Sequence, residues 1–142
     1  MNTFQEEQLQ SLAESAIQAK EFSYSPYSHF QVGAALLCED GSVYTGCNIE
    51  NAAFGPTNCA ERTAFFKAVS EGKREFAAIA IAGGRAGEAI TEYTYPCGVC
   101  RQVMAEFCKN DFKILVAKKK DDYKIYTLEE LVPHRFGPAD VL

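Results

Sequence analysis

The sequence predicts an α/β layered domain built on a mixed sheet. Five short apolar runs have the length of strands, and longer segments carry helical periodicity or begin on helix-start signals. The two kinds alternate along the chain. A length of 142 residues suits one compact domain, 1–142, with a substantial core.

Leu9, Leu12, Ala13, Ala16 and Ile17 repeat at amphipathic-helix spacing, so a helix is expected to end near Lys20. Residues Ser23 to Ser28 contain Pro26 and are read as a loop. Phe30 to Cys38 and Val43 to Cys47 flank Asp40-Gly41, the signal of an antiparallel hairpin. Asn48 to Asn58, with Gly55 and Pro56, is polar loop. A helix is expected from Cys59 to about Ser70, closed by Gly72. Phe76 to Ala82 is an unbroken apolar run of buried-strand type, followed by a glycine-bearing loop. A second central helix should run from Gly98 to about Cys108. Lys113 to Ala117 and Tyr123 to Tyr126 complete the strands. Thr127 and Glu130 have capping-box spacing for a short last helix stopped by Pro133.

Bulk properties narrow the function. A net charge of −5 and a pI near 5.1 argue against nucleic acid as partner, which needs a clustered basic surface. The one basic run, Lys118 to Lys120, is followed at once by Asp121 and Asp122 and reads as a solvated hairpin turn. MNTFQEEQLQ has neither the basic nor the apolar region of a signal peptide. No apolar stretch approaches the ~20 residues of a membrane span. A cytoplasmic location is expected, where cysteines stay reduced. The six cysteines then serve as core residues, metal ligands or redox groups rather than as disulfides.

Two segments stand apart from core and loop: Cys59-Ala60-Glu61-Arg62 and Pro96-Cys97-Gly98-Val99-Cys100-Arg101. Each lies where loop becomes helix, and the positive end of a helix dipole favours thiolate, the form that binds zinc. Cys97 and Cys100, one helical turn apart, can aim at one point. Three protein ligands plus a water is the count of a catalytic zinc site. Neither His29 nor His134 lies beside a cysteine at ligand spacing, and Cys38, Cys47 and Cys108 are expected to pack in the core. Glu61 follows Cys59 closely enough to exchange a proton with water at the metal. Asn58 and Glu61 also have capping-box spacing, but the cysteines of the second helix start favour the catalytic reading. Three thiolates leave zinc with net negative charge. Arg62 and Arg101 are therefore candidates for hydrogen bonds to the sulfurs, with Arg62 tuning the metal.

Cys-Ala-Glu followed at a distance by Pro-Cys-x-x-Cys is the signature of zinc deaminases. Together with Tyr24-Ser-Pro-Tyr-Ser28, Phe30-Gln-Val-Gly-Ala-Ala-Leu36 and Gly46-Cys-Asn-Ile-Glu-Asn51, it resembles the small homotetrameric cytidine deaminases over most of the chain. The resemblance implies a three-layer α/β/α sandwich around a mixed five-stranded sheet. It implies one zinc ion per chain on Cys59, Cys97 and Cys100, Glu61 as acid and base, and hydrolysis of cytidine and 2'-deoxycytidine in pyrimidine salvage. It further implies that Asn48 and Glu50 bind the ribose and that Phe30 packs on the pyrimidine. The Ala60 backbone would donate to the base carbonyl, and the Tyr95 backbone would accept near the leaving amino group. Phe54 and Phe136 match aromatics that complete a neighbouring subunit's pocket in the homotetramer. Phe54 stands where tyrosine is common, Tyr95 where serine is common, and the Gly83 to Thr94 loop is a little long.

Two rivals differ in kind. One is the same chemistry on free cytosine, a nucleotide, a nucleoside antibiotic or an RNA base. The other is a zinc-stabilised or thiol-redox domain without catalysis, which Cys97-Gly-Val-Cys100 alone would allow.

Overall fold

The computed structural model describes residues 3–142. Residues 1 and 2, the start of the segment read above as no signal peptide, lie outside the described residues. Five strands form one sheet in the order β2-β1-β3-β4-β5: β1 Phe30–Cys38, β2 Val43–Cys47, β3 Phe76–Arg85, β4 Lys113–Lys119 and β5 Asp122–Thr127. β1 runs antiparallel to both β2 and β3, β3 and β4 are parallel, and β4 and β5 close an antiparallel hairpin. A parallel pair needs a crossover, and helix α3, Gly98–Phe107, supplies it.

The helices sort to the two faces by the period-two alternation of the strands. Helix α1, Thr3–Ala19, lays Leu9, Leu12 and Ala16 on Ala35, Leu37, Ala80 and Leu115. On the other face, α2 (Ala60–Ser70), α3 and the short α4 (Leu128–Leu131) cover Ala34, Leu36, Ile79, Ile81 and Ile114. Phe65 of α2 centres that layer, with the ring of Phe76 edge-on at 5.2 Å and that of Phe112 at 6.1 Å. Three layers result, as expected. Among the described residues no helix is long and apolar enough to cross a membrane.

Two close approaches set the layer spacing. A Cβ on Gly33 would lie 2.0 Å from the Ala16 carbonyl oxygen, so β1 touches α1 backbone to backbone. A Cβ on Gly46 would lie 2.5 Å from the Ala60 oxygen and 2.6 Å from the Ala64 nitrogen, which seats β2 against the first turns of α2.

β3 corrects the sequence reading, because it continues through Gly83 and Gly84 to Arg85 instead of breaking into a loop at Ala82. β1 starts early enough to pair Val32 with Gly83, Gln31 with Gly84 and Phe30 with Arg85. Glycine is needed there for contact. A Cβ at Gly83 would stand 2.5 Å from Thr94 Oγ1 and 3.0 Å from the Phe30 ring. The basic run does form the β4–β5 turn, at Lys120 and Asp121. Thr127 and Glu130 make both arms of the expected capping box.

Candidate metal centre and its surroundings

Cys59 and Cys97 are the N-caps of α2 and α3, both with extended backbones, at φ −77°, ψ 156° and φ −70°, ψ 169°. Cys100 lies in the first turn of α3 and is 1% exposed. The three sulfurs all lie within 4.8 Å of one another, and Cys59 Sγ and Cys97 Sγ are 3.7 Å apart. Zn–S bonds of about 2.3 Å in a tetrahedron put sulfurs about 3.8 Å apart. The donor set and spacing therefore fit zinc. Among the described residues this is the one cluster of metal-type ligands. Cys38 and Cys108 are buried in the core, and Cys47 is half-buried, donating to the Phe22 carbonyl.

In the metal-free site the electrostatics favour thiolate at Cys59, while the hydrogen bond to Cys59 and then burial push the Cys100 thiol up. Cys59 is held down to about 5, chiefly by a hydrogen bond from the Cys100 thiol and then, against the cost of burial, by Arg62 and Cys97. Arg62 Nη2 donates to Cys59 Sγ at 3.3 Å, as the charge argument expects. Its Nε is buried and has no hydrogen-bond partner among the described residues. Arg101 departs from expectation. Its Nε donates to the Pro96 carbonyl at 2.8 Å and its Nη1 to the Leu131 carbonyl at 2.9 Å, so its fork is spent on backbone rather than sulfur.

Glu61 is 3% exposed, and burial pushes its carboxyl up to about 7, with the nearby Cys59 charge adding to the rise. The capping-box alternative is not formed. α2 begins at Ala60, one residue later than expected, and Cys59 is its cap. The Asn58 backbone N–H donates to Ile49, and its side chain donates to Thr63 Oγ1 at 3.2 Å.

Asn48 and Glu50 are tied to the start of β1 and to the loop before it. Asn48 Oδ1 accepts from the Val32 N–H at 2.9 Å and from Ser23 Oγ, while its Nδ2 donates to the Phe30 carbonyl at 2.9 Å. Glu50 accepts from Ser28 Oγ and from the N–H groups of Tyr27 and Ser28 at 3.0 and 3.1 Å. The Ser28 hydroxyl leads in holding its carboxyl below the usual range. An open hollow of about 410 Å³ is lined by Tyr27, Ser28, Glu50, Asn51, Phe54 and Thr57. Phe30 lines a second hollow, which shares Ser28 and reaches Gly83 and Arg85.

The other predicted positions are more dispersed. The Tyr95 hydroxyl lies 3.0 Å from that of Tyr126, with the rings edge to face at 5.7 Å. Phe54 and Phe136 are 87% and 61% exposed, and Gln102 Nε2 donates to the Phe136 carbonyl at 2.9 Å. Ser23, Ser28 and Tyr126 were not picked out individually from sequence. Ser28 ends the Tyr24–Ser28 motif and Ser23 stands just before it, whereas Tyr126 lies on a strand with nothing to mark it.

Comparison with known proteins is consistent with this geometry. The profile of the cytidine and deoxycytidylate deaminase zinc-binding region matches residues 6–116. A cytidine deaminase of Halalkalibacterium halodurans is 52% identical over 132 residues, covering 93% of this chain and 96% of the relative. The probable cytidine deaminase of Dictyostelium discoideum is 39% identical, covering 96% and 89%. The crystal structure of cytidine deaminase from Burkholderia pseudomallei superposes with a TM-score of 0.80 at 43% identity, covering 96% of this chain and all of that one.

Proposed function

Since the chain belongs to the cytidine and deoxycytidylate deaminase family, we propose that it hydrolyses free cytidine and 2'-deoxycytidine to the uridine nucleosides and ammonia. The observation that carries this reading is a 3%-exposed carboxyl, Glu61, beside three converging sulfurs. Cys59, Cys97 and Cys100 would hold one zinc ion. Bound there, zinc supplies a Lewis acid that lowers the pKa of water at the site toward ~7.

Glu61 does the proton work. With its carboxyl near 7, both protonation states are populated at neutrality, which suits a group that must accept and donate in one cycle. It takes the proton of the attacking water and delivers it to N3 of the ring, making C4 more electrophilic. The water oxygen adds to C4, and Glu61 then carries the remaining proton of that oxygen to the amine, so that the C4–N bond breaks, a carbonyl forms at C4 and ammonia leaves. Phe30 offers the base an apolar face, the Ala60 N–H a donor to the base carbonyl, and the Tyr95 carbonyl an acceptor near the amine.

Hydrogen-bond capacity supports the ribose assignment. Asn48 Nδ2 has two hydrogens and spends one on Phe30, leaving one donor. Glu50 has about four acceptor positions and uses three, leaving about one. A hydroxyl, which both accepts and donates, matches that residue pair. The Glu50 charge disfavours a 5′-phosphate, so the nucleoside is preferred to the nucleotide. The exposed Phe54 and Phe136 rings suit a homotetramer in which each chain completes a neighbour's pocket. A single-domain, cytoplasmic enzyme of pyrimidine salvage accords with these features.

The test is loss of cytidine ultraviolet absorbance, with Glu61→Ala and cytidine monophosphate run beside it. Conversion of cytidine that disappears in the variant is expected. A folded, zinc-loaded protein that leaves cytidine intact would sink the reading.

A further inference from the structure

The three sulfurs are held in three different ways. Cys100 is fixed chiefly by packing, at 1% exposure, with its thiol bonded to Cys59. Cys59 is half-buried and receives Arg62 Nη2 on its sulfur. Cys97 is exposed, and the hydrogen-bond contact of its sulfur is the 3.7 Å approach to Cys59. What is held at Cys97 is its backbone. The Pro96 carbonyl accepts from Arg101 Nε at 2.8 Å, and the Cys97 carbonyl accepts from the Arg101 N–H at 3.0 Å. The second of these is the ordinary main-chain bond of α3, whereas the first uses the Arg101 side chain and holds the peptide that leads into Cys97.

We propose that the Arg101 side chain is a positioning group for the metal centre, fixing Cys97 through the Pro96 carbonyl that precedes it and anchoring that carbonyl to α4. The proposal rests on the zinc reading above. Anchorage comes from Nη1, which donates at 2.9 Å to the carbonyl of Leu131, the last residue of α4. α4 is itself fastened by a fully buried Leu128 and by the Thr127–Glu130 capping box. Pro96 sharpens the dependence. Its ring is buried and it has no N–H, so the carbonyl is its only backbone hydrogen-bonding group. A guanidinium has donors fixed in one plane and can bridge two carbonyls, whereas a lysine ammonium on a flexible stem cannot reproduce that span. Arg62 and Arg101 therefore divide the task, one bonding a sulfur and the other setting the backbone that carries a sulfur.

The experiment compares wild type, Arg101→Ala and Arg101→Lys, each loaded with zinc and, separately, with cobalt. Zinc release to a chromophoric chelator and the cobalt d–d bands are read on folded protein. Removing an outer partner of a metal ligand typically costs ~10–100-fold in affinity. Release from Arg101→Ala should accelerate by about tenfold or more, with shifted cobalt bands and Arg101→Lys in between. A lower melting temperature with wild-type release and wild-type bands would make Arg101 merely structural and overturn the proposal. If Arg101→Ala does not fold, Arg101→Lys decides, and wild-type release from it overturns the proposal equally. A wild type that takes up no zinc ends both this proposal and the zinc reading. A wild type that keeps zinc yet ignores cytidine ends the nucleoside reading alone, since release needs no substrate.

Discussion

Replacing Glu61 by Gln should stabilise the metal-free protein, and increasingly so as pH rises. The side chain is 3% exposed, and burial is the main reason its carboxyl sits at about 7 rather than 4.5. Between those values the folded chain keeps a proton that the unfolded chain has released. Stability contributed by that proton is complete below about pH 4.5 and is lost as pH rises through about 7. At ~1.4 kcal/mol per pH unit the whole effect is about 3.5 kcal/mol, of which about 2.5 kcal/mol falls between about pH 5 and 8. Glutamine does not titrate and escapes the loss. The Cys59 thiol, held down to about 5, works in the opposite direction over part of this range. It is present in both proteins and cancels to first order in their difference. Urea unfolding of chelator-treated, reduced wild type and variant at both pH values supplies the measurement. A stability difference that stays constant within about 1 kcal/mol would refute the argument that the fold bears the cost of burying this carboxylate.

Gly46→Ala should destabilise by about 1–3 kcal/mol, as overpacking does, and should lower zinc content as well. The two nearest atoms its Cβ would meet are backbone of the α2 turns that follow Cys59; thermal melts and metal analysis of purified protein would check both effects. Glu50→Gln keeps the shape of the side chain but weakens its hold on Tyr27 and Ser28. It should raise KM for cytidine by about tenfold, the ordinary worth of one good hydrogen bond, with a smaller change in kcat. Steady-state kinetics in which kcat alone fell would place Glu50 outside the ribose contact.

The parts of the fold that were legible in the sequence are those whose cause is local. Asp40-Gly41 between two apolar runs specifies the β1–β2 hairpin, and Thr127 with Glu130 specifies the start of α4. The cysteines at two helix starts were legible for chemical reasons, since few other roles ask for three thiols and a carboxyl in that pattern. What was hidden depends on partners far away in the chain. Gly83 and Gly84 read as loop until β1 is placed beside them. Arg101 reads as a sulfur partner until the carbonyls of Pro96 and of Leu131 in α4 are seen to take its donors. Asn48 and Glu50 are ordinary polar loop residues by composition, and only resemblance picked them out. Their hydrogen bonds reach back 16 to 25 residues, to Ser23, Tyr27, Ser28 and Val32.

The spacing of the three sulfurs along the chain also bears on how the protein matures. Cys59 and Cys97 are 38 residues apart, and the whole of β3 lies between them. Closing a loop of that size costs entropy before any contact offsets it. A chain whose β3 has not yet entered the sheet carries Cys97 and Cys100 as a local pair and leaves Cys59 adrift. Such a chain offers a thiol-seeking ion two donors, whereas the completed chain offers three. An ion that requires all three donors would therefore find them together only once β3 has joined the sheet.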